Sequence, residues 1–251
     1  HTPKSPAPAA NTSSDLSAFK RLVTDEERQI FLELMDAFNS AMSKANLTYF
    51  LYGGTLIGSW RHHGWIPWDD DGDVGVPYNQ QSRILEALSR LAPAFLHVFR
   101  PKYAIKFYSQ KSSHKTTMKW KWPFIDVCFY LENDTHVWDP DPNFPEYNFP
   151  REEVFPLRMR PFEGRMLPVP GRTEAFLKRT YKLDQCMLGH YDHRVERGRR
   201  KDERGLPVGC AELEKHFPFV HRVSLGASGC NETLVRNGTV ISWYVDEDLQ
   251  C

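Results

Sequence analysis

The stretch YGGTLIGSWRHHGWIPWDDDGDVGV, residues 52–76, indicates both the fold of this chain and the place of its chemistry. Four aspartates occupy the five positions 69–73, directly after two tryptophans and a proline. Carboxylates this close repel one another and raise each other's pKa unless a positive charge lies between them. Because their apolar neighbours limit solvation by water, the stretch predicts a bound cation.

The acids of this stretch follow the alternation of a β-strand. Residues i and i+2 of a strand point to the same face, so a strand over residues 71–76 places Asp71 and Asp73 side by side. Mg²⁺ typically binds one or two protein carboxylates together with substrate phosphates, which suits this pair. A calcium loop of the EF-hand type does not fit, because its sixth position, counted from Asp69, is Val74 instead of glycine.

A glycine turn precedes the acids. The run LTYFLYGG, residues 47–54, predicts a short strand that ends at two glycines, and TLIGSWR predicts the start of a helix. Gly53, Gly54 and Thr55 therefore lie between a strand and a helix, where free backbone N–H groups can bind a phosphate. A further acid, Asp126, lies in the apolar strand pattern FIDV, where an unpaired carboxylate is costly, so it also requires a cation.

The other elements alternate between helices and strands. Thr24 and Glu27 form a capping-box pattern, and the apolar spacing that follows predicts an amphipathic helix to about Lys44. A second helix is predicted over residues 80–91, and AIKFYS and MKWKWPFIDVCFYL predict two further strands. TEAFLKRTY predicts a short helix capped by Thr173. The order α-β-α-β-α-β-β predicts a mixed α/β domain.

Composition divides the chain into three regions. Residues 1–20 begin with a Pro/Ala/Ser/Thr-rich run that has too little apolar surface to pack, so we predict a flexible stem. A core domain follows over residues 21–183. Within it, residues 132–172 are dense in proline and aromatic residues, which predicts a segment that wraps the core with little regular structure. Residues 184–251 are predicted to be a disulfide-stapled, Cys-containing extension packed on the core.

The balanced overall charge of the chain argues against recognition of nucleic acid through a long-range electrostatic field. The chain has 251 residues and is 41% hydrophobic, enough for a substantial core. Lys plus Arg and Asp plus Glu number 32 each, so no overall field favours nucleic acid. No run of 18 apolar residues occurs in the chain. Because His1 is not a natural start, we expect a signal segment or a membrane anchor upstream of it.

Sequons and cysteines indicate the secretory pathway. The five cysteines suit an oxidising lumen, with two disulfides and one free thiol as the simplest arrangement. We expect Cys128, in an apolar strand pattern, to be the free thiol, while the pairing of the other four stays open. Cys186, His190 and His193 have the spacing of half a zinc site, but without a second half a disulfide cysteine is favoured. Five of the nine asparagines lie in glycosylation sequons: Asn11, Asn46, Asn133, Asn231 and Asn237.

Three acids on neighbouring strands and a Gly-Gly-Thr turn are the ingredients of the nucleotidyltransferase fold of the polymerase beta type. The stretch YFLYGGTLIGSWRHHGWIPWDDDGDVGV resembles the LicD family, which includes bacterial phosphocholine transferases and the animal fukutin and fukutin-related proteins. FIDV, FPLRMRPFEGRMLPVP and FLKRTY follow that family's order, so the resemblance covers roughly residues 26–183 and implies a catalytic domain. Two positions depart from the pattern: Gly72 replaces an apolar residue, and Lys182 replaces a glycine after Tyr181.

The resemblance implies a transferase of the Golgi or endoplasmic reticulum, or a secreted one. It would move a phospho-alcohol, such as phosphocholine or ribitol phosphate, from a CDP-activated donor to a glycan hydroxyl. Mg²⁺ or Mn²⁺ held by Asp71, Asp73 and Asp126 would neutralise the phosphate oxygens and the leaving CMP. By analogy with the fold, Asp126 would also be the base for the acceptor hydroxyl, and Asp69 would tune the site or bind a second cation. Asp70 faces the other way and is expected to make a structural hydrogen bond.

The candidate nucleotide or phosphate contacts outside the glycine turn are Arg61, His62 and Lys119, and each has a structural alternative. Arg61 can pair with a phosphate or form a salt bridge to the acids. His62 matches the family and His63 does not, and a structural imidazole fits either as well. Lys119 would share a strand face with Lys121, where an exposed surface lysine is the favoured alternative.

Two other functions fit the same motifs. A sugar-phosphate transferase that uses a nucleotide-sugar such as GDP-mannose would need a similar metal-bound pyrophosphate. A secreted glycan-binding protein that has lost turnover would keep the fold, although it has no physical reason to retain unneutralised carboxylates.

Overall fold

The computed structural model describes residues 16–100 and 104–251 of the chain. Most of the predicted stem, including the sequon at Asn11, lies outside the described residues. None of the helices in the described ranges has the length and apolar composition that crossing a bilayer requires. The helices are α1 (Asp25–Lys44), α2 (Gly53–His62), α3 (Gln81–Ser89), α4 (Arg151–Val154), α5 (Thr173–Lys178) and α6 (Lys201–Arg204), with 3₁₀ helices at Tyr78–Gln80, Cys210–Leu213 and Gly226–Ser228.

A mixed sheet of seven strands forms the centre of the fold. The strands are β1 (Phe50–Leu51), β2 (Asp73–Pro77), β3 (Phe95–Arg100), β4 (Ala104–Ser113), β5 (Trp122–Glu132), β6 (His136–Trp138) and β7 (Asn148–Pro150). The main path runs β1-β2-β5-β4-β3, and β6 and β7 continue the sheet from β5. β2 and β5 run parallel, whereas the other neighbours are antiparallel. The predicted mixed α/β fold is therefore confirmed.

Helix α1 covers one part of this sheet with the apolar stripe that the sequence predicts. Leu34, Met35 and Phe38 on that stripe are fully buried. The Thr24 hydroxyl accepts a hydrogen bond from the Glu27 N–H, and the Glu27 carboxylate accepts one from the Thr24 N–H. The predicted capping box is confirmed, and it sets the point at which α1 begins.

Strand β3 was not predicted, and the structure also corrects the interpretation of residues 132–172. This segment contains regular structure, because β6 pairs with β7 and a second hairpin joins β8 (Arg158–Phe162) to β9 (Arg165–Val169). The turn residues of that hairpin, Glu163 and Gly164, have φ angles of 52° and 73°, which a two-residue turn of this hand requires. Because the hairpin has only two strands, each strand has one edge without hydrogen-bond partners. Proline lacks an N–H group, and at such an edge no hydrogen bond is lost.

Helix α5 begins one residue earlier than predicted. Arg172 is its N-cap, and Thr173 is the first helical residue. The Thr173 hydroxyl donates a hydrogen bond to the Pro170 carbonyl oxygen instead of capping the helix, because Thr173 already has helical geometry.

Residues 184–251 form small sheets that pack against the core. The strands are β10 (Gln185–Cys186), β11 (Tyr191–Asp192), β12 (Arg197–Gly198), β13 (Val208–Gly209), β14 (Phe219–Ser224), β15 (Cys230–Arg236) and β16 (Thr239–Asp246). β14, β15 and β16 form one antiparallel sheet, and β10 pairs with β13 and β11 with β12. A buried ion pair joins this region to the core, since Arg160 of β8 donates to Glu232 of β15 and Asp246 of β16.

Two disulfides and one free thiol are present, as predicted. Cys186 bonds to Cys210 and Cys230 bonds to Cys251, while Cys128 is free. The alternative of half a zinc site is excluded, because the Cys186 sulfur belongs to a disulfide. The first disulfide lies in an apolar cluster with Trp68, which anchors the extension next to the aspartate-rich stretch.

Candidate active site

Three carboxylates converge on the central parallel pair of strands. Asp73 begins β2 and is the register partner of Asp126 on β5, while Asp71 lies two residues before β2. One carboxylate oxygen from each of the three lies within 4.8 Å of the others. The structure thus brings together the three acids for which the sequence predicts a shared cation.

The two glycines of the turn leave room for these acids at the start of α2. Gly53 has a φ of +51°, and a Cβ atom added there would lie 2.8 Å from Asp73 Oδ2. A Cβ atom on Gly54 would lie 2.6 Å from Asp69 Oδ2. Thr55 Oγ1 accepts a hydrogen bond of 2.7 Å from the Asp73 N–H, which ties α2 to β2. The free N–H groups at the helix start therefore border the carboxylates.

The electrostatics of the cluster favour a cation. Burial raises the pKa of Asp69 and Asp73 well above the ordinary value, and the charge of Asp71 adds to both shifts. Burial also raises the pKa of Asp71, although the charge of His193 opposes that shift. Asp126 Oδ1 is buried and has no hydrogen-bond partner within residues 16–100 and 104–251. Closely spaced carboxylate oxygens are the ligands that Mg²⁺ and Mn²⁺ prefer.

Lys106 of β4 is a site residue that the sequence analysis missed. It is the register partner of Asp126, and its Nζ lies 2.8 Å from Asp126 Oδ2 and 3.6 Å from Glu196 Oε1. Burial lowers the pKa of Lys106, but the charges of these two carboxylates raise it above the ordinary value. A lysine in the middle of the apolar strand pattern AIKFYS was the signal that could have identified it.

His193, in the extension, is a second missed residue. Its Nε2 lies 3.2 Å from Asp71 Oδ2 and its Nδ1 lies 3.3 Å from Asp70 Oδ1. Burial lowers the pKa of His193, but these carboxylates raise it to about 10. Asp70 also accepts hydrogen bonds from the Arg194 N–H and the Arg199 guanidinium, which is the structural role expected for it. The sequence analysis considers His193 only as part of half a zinc site, and no local pattern connects it with the acids, because only the folding of the extension brings it to them.

Arg61 contacts the backbone where the core meets the extension, and His62 contacts the backbone of the extension. Arg61 donates three hydrogen bonds of 2.7 to 3.2 Å to carbonyl oxygens at residues 182–185. A salt bridge to the acids, one of its two predicted roles, is not among its contacts in the described chain. His62 Nδ1 donates to the Pro218 carbonyl oxygen at 2.7 Å, and His62 Nε2 has no partner within the described ranges. The next residue, His63, contacts Glu232.

Lys119 lies in the exposed connection between β4 and β5. The pairing of these strands resumes at Ser113 and Trp122, so residues 114–121 lie outside the ladder. The prediction that Lys119 and Lys121 share a strand face is therefore wrong.

Three tyrosines lie near Asp73. The Tyr52 hydroxyl donates to Asp139 Oδ2 at 3.2 Å, and the hydroxyl groups of Tyr147 and Tyr181 are 3.2 Å apart. Burial raises the pKa of both Tyr147 and Tyr181, and the charge of Asp73 adds to each shift. Aromatic rings with polar tips therefore border this side of the acidic cluster.

A cavity of about 660 Å³ opens beside Asp69 and Asp71. Its walls come from α1, residues 62–67, the turn of the β8–β9 hairpin, residues 216–218, and strands β15 and β16. This volume lies within the range of small-molecule sites. Its aromatic lining residues are Phe31, Trp65 and Phe217.

The sequons within the described residues are accessible to different degrees. Asn46, Asn133 and Asn237 are exposed, whereas Asn231 is half-buried on β15. Their glycosylation stays a prediction.

Comparison with protein families matches residues 46–172, about half of the chain, to the family described as LicD/FKTN/FKRP, nucleotidyltransferase domain. The matched range includes the glycine turn, the four aspartates, Lys106 and Asp126. It ends before the extension, which supplies His193.

Individual relatives match shorter or more distant stretches. The lipopolysaccharide cholinephosphotransferase LicD of Haemophilus influenzae is 39% identical over 67 residues, which are 27% of this chain and 25% of that protein. The mouse ribitol 5-phosphate transferase FKRP is 28% identical over 55% of this chain and 28% of its own length. An uncharacterized protein of Rickettsia prowazekii is 25% identical over 94% of this chain and 85% of its own length. The chain thus spans about a quarter of each of the two named transferases.

Proposed function

Because the chain belongs to the LicD/FKTN/FKRP nucleotidyltransferase-domain family, we propose that it is a metal-dependent phosphotransferase that moves a phospho-alcohol from a CDP-activated donor to a glycan hydroxyl. The convergence of Asp71, Asp73 and Asp126 beside the glycine turn carries this proposal. Relatives named as a cholinephosphotransferase and a ribitol 5-phosphate transferase support a phospho-alcohol as the group that is moved.

Mg²⁺ or Mn²⁺ fits the acidic cluster and would be held by Asp71, Asp73 and Asp126, with Asp69 beside them. The chemistry that such an ion supplies is neutralisation of the phosphate oxygens and of the departing CMP. Two observations support the fit. A cation would satisfy the unpartnered Asp126 Oδ1, and it would relieve the repulsion that adds to the raised pKa of Asp73, after the larger effect of burial.

The start of α2 is the proposed contact for the donor phosphates. Gly53, Gly54 and Thr55 present backbone N–H groups there, at the positive end of a ten-residue helix. The Thr55 hydroxyl already accepts from the Asp73 N–H, so Thr55 would contribute its backbone N–H group. Without Cβ atoms on the two glycines, the phosphates can approach the helix start and the acids together.

The transfer step then requires a base for the acceptor hydroxyl. The hydroxyl oxygen attacks the phosphorus that carries the alcohol, a new P–O bond forms, and the bond to the bridging oxygen breaks as CMP leaves with the electron pair. Asp126 is proposed to take the hydroxyl proton, because its carboxylate lies in the cluster and Oδ1 has a second lone pair besides the one that would face the cation. Lys106 holds the other oxygen of this carboxylate at 2.8 Å and so orients Oδ1.

A donor screen with varied metal tests the proposed reaction. The protein is incubated with CDP-choline, CDP-ribitol or GDP-mannose and a panel of glycans, in Mg²⁺, Mn²⁺ or EDTA, and the products are identified by mass spectrometry. We expect CMP release, with the mass of the phospho-alcohol added to a glycan, and loss of both in EDTA. Release of GMP would instead identify a sugar-phosphate transferase. Failure to bind CDP in the presence of metal would leave a glycan-binding protein without turnover.

Titration calorimetry with CDP and Mg²⁺ supplies matched controls for this screen. Gly54→Ala is expected to weaken CDP binding about tenfold or more, because the added Cβ collides with the Asp69 carboxylate at the phosphate contact. Gly198→Ala is the control, since its Cβ would meet nothing within 4 Å. Equal affinities in the two variants would argue against a phosphate contact at this turn.

We further propose that the protein works in the lumen of the secretory pathway or outside the cell. The two disulfides support an oxidising compartment, and three exposed sequons support passage through the endoplasmic reticulum. Protein recovered from animal cells is expected to lose mass on treatment with an N-glycan amidase. Substitution of glutamine at Asn46, Asn133 or Asn237 should each remove part of that mass. A mass unchanged by the amidase would contradict the proposed route.

A further inference from the structure

The sheet of β14, β15 and β16 has one face turned to the core and one turned to water. On the inner face, Glu232 accepts a hydrogen bond from Arg160, and the Tyr244 hydroxyl donates to the Met159 carbonyl oxygen. Side chains alternate between the two faces along a strand, so the residues that flank Glu232 and Tyr244 lie on the outer face. The proposed chemistry uses none of them.

The outer face carries an exposed apolar surface. In the register of the sheet, Asn231 lies between Val223 and Val245, and Thr233 is a partner of Trp243. Val223 is 61% exposed and Trp243 is 71% exposed. Single exposed apolar side chains are ordinary, but here they cluster around one asparagine. Such a surface is typical of a site that another group covers.

A glycosylation sequon occupies the centre of this face. Its acceptor Asn231 and its Thr233 both point outward and are half-buried, while Glu232 between them points inward and is fully buried. Trp243 is the diagonal cross-strand neighbour of Asn231, a position about 7–8 Å away that a bulky group can bridge. A sugar attached to the Asn231 amide nitrogen therefore lies within reach of the indole ring.

The chemistry of a sugar ring complements that of the indole. The face of an aromatic ring carries partial negative charge, and the C–H groups of a pyranose carry partial positive charge. The hydroxyl groups on the other side of the sugar stay in water. A sugar ring therefore covers the indole without creating new apolar surface.

We propose that an N-glycan on Asn231 covers this face and that its innermost sugar packs on Trp243. The inference goes beyond the proposed transfer reaction and rests only on the proposed passage through the endoplasmic reticulum. The co-substrate is an oligosaccharide on a lipid diphosphate, which an oligosaccharyltransferase presents to the sequon. The Asn231 amide nitrogen attacks the anomeric carbon, a C–N bond forms and the amide loses a proton. The C–O bond to the diphosphate breaks, and the lipid diphosphate leaves with the electron pair.

The position of the sequon favours a glycan over a protein partner. An N-glycan is bulky and hydrated, and at Asn231 it stands between the two valines, where it prevents a second protein from docking flat against Trp243. His221, the other register partner of Thr233, contacts Glu214 at 3.5 Å and lies on the opposite side of β15 from Trp243. The surface around the indole is therefore apolar, as the sugar face requires.

Glycopeptide mapping tests the occupancy of this sequon. The protein is recovered from animal cells, reduced and digested with trypsin, which separates residues 223–236 from residues 237–251. The first peptide contains Asn231, and the second contains Asn237 and Trp243. We expect the first peptide to carry a glycan, and treatment with an N-glycan amidase to convert Asn231 to aspartate.

Hydroxyl-radical footprinting, read out by mass spectrometry, tests the contact with Trp243. Oxidation of Trp243 is expected to be about threefold slower in the folded glycoprotein than in Asn231→Gln, because a packed sugar shields one face of the indole. Thr239→Ala is the matched control, since it removes the sequon of Asn237 at the turn between β15 and β16 and should leave Trp243 protected. Amidase treatment of the folded wild type should expose Trp243 as Asn231→Gln does, which gives the same comparison without a substitution.

The outcomes separate this inference from the other proposals. Equal rates of Trp243 oxidation in the glycoprotein and in Asn231→Gln would overturn it, whether the ring is open in both or covered in both by another group. An unmodified Asn231 beside modified Asn46 and Asn133 would also overturn it and leave the secretory route intact. If no sequon is modified, the inference and the route both fail. Neither readout depends on transfer of a phospho-alcohol, so the outcome of the donor screen does not bear on this inference.

Discussion

Asp73→Asn is expected to lower the rate of phospho-alcohol transfer by about three orders of magnitude. Asp73 is central to the cluster, since its carboxylate oxygen lies within 4.8 Å of those of Asp71 and Asp126 and it borders the glycine turn at Gly53. The amide keeps the shape but removes the negative charge on which cation binding depends. Transfer is measured as CMP release at saturating donor and acceptor.

The same substitution should not weaken the metal-free fold. Burial and then the neighbouring carboxylates raise the pKa of Asp73, so removing its charge relieves repulsion. We therefore expect the midpoint of thermal unfolding in EDTA to rise or stay constant while transfer is lost. Asp202→Asn is the matched control, because Asp202 is exposed and its ion pair with Arg200, at 3.3 Å, lies on the surface. Transfer by Asp73→Asn within tenfold of wild type would refute the proposed metal site.

Arg160→Met is expected to lower the free energy of unfolding by about 3–5 kcal/mol. Arg160 is 1% exposed and donates to Glu232 Oε2 at 2.6 Å and to Asp246 Oδ2 at 2.8 Å. Methionine fills much of the volume but leaves two buried carboxylates without this partner. Urea denaturation measures the loss. The control Arg172→Met removes an exposed pair with Glu152 at 3.8 Å and should cost less than about 1 kcal/mol.

The dependence of the free energy of unfolding on pH, in the acidic range, tests the same ion-pair network. Burial raises the pKa of Glu232, but the hydrogen bond with His63 and the charges of Arg160 and Arg222 outweigh it and lower the pKa from 4.5 to about 2. A lowered pKa stabilises the folded state above pH 4.5, and that stability is lost as the pH falls from 4.5 towards 2. Arg160→Met should make this dependence shallower. An unchanged slope would show that Arg160 does not hold Glu232 in its charged form.

Local patterns predicted much of the framework. The capping box at Thr24, the helix to Lys44 and the strand–turn–helix around Gly53 depend on residues a few positions apart, and the structure has all three. The segment over residues 132–172 was misjudged, because its hairpins are defined by pairing between strands and proline-rich strands lack the usual composition. Strand β3 was missed for a similar reason, since β4 supplies its hydrogen-bond partners.

Local patterns were enough to identify the family and the mixed α/β fold, and they predicted that Asp71, Asp73 and Asp126 share a cation, because charge spacing and burial cost are local properties. The other side chains that reach these acids could be identified only from the folded chain. Lys106 arrives through strand register, and His193 arrives from an extension whose path depends on packing and a disulfide. Such contacts join residues far apart in the chain, and their positions follow from the packing of the whole fold.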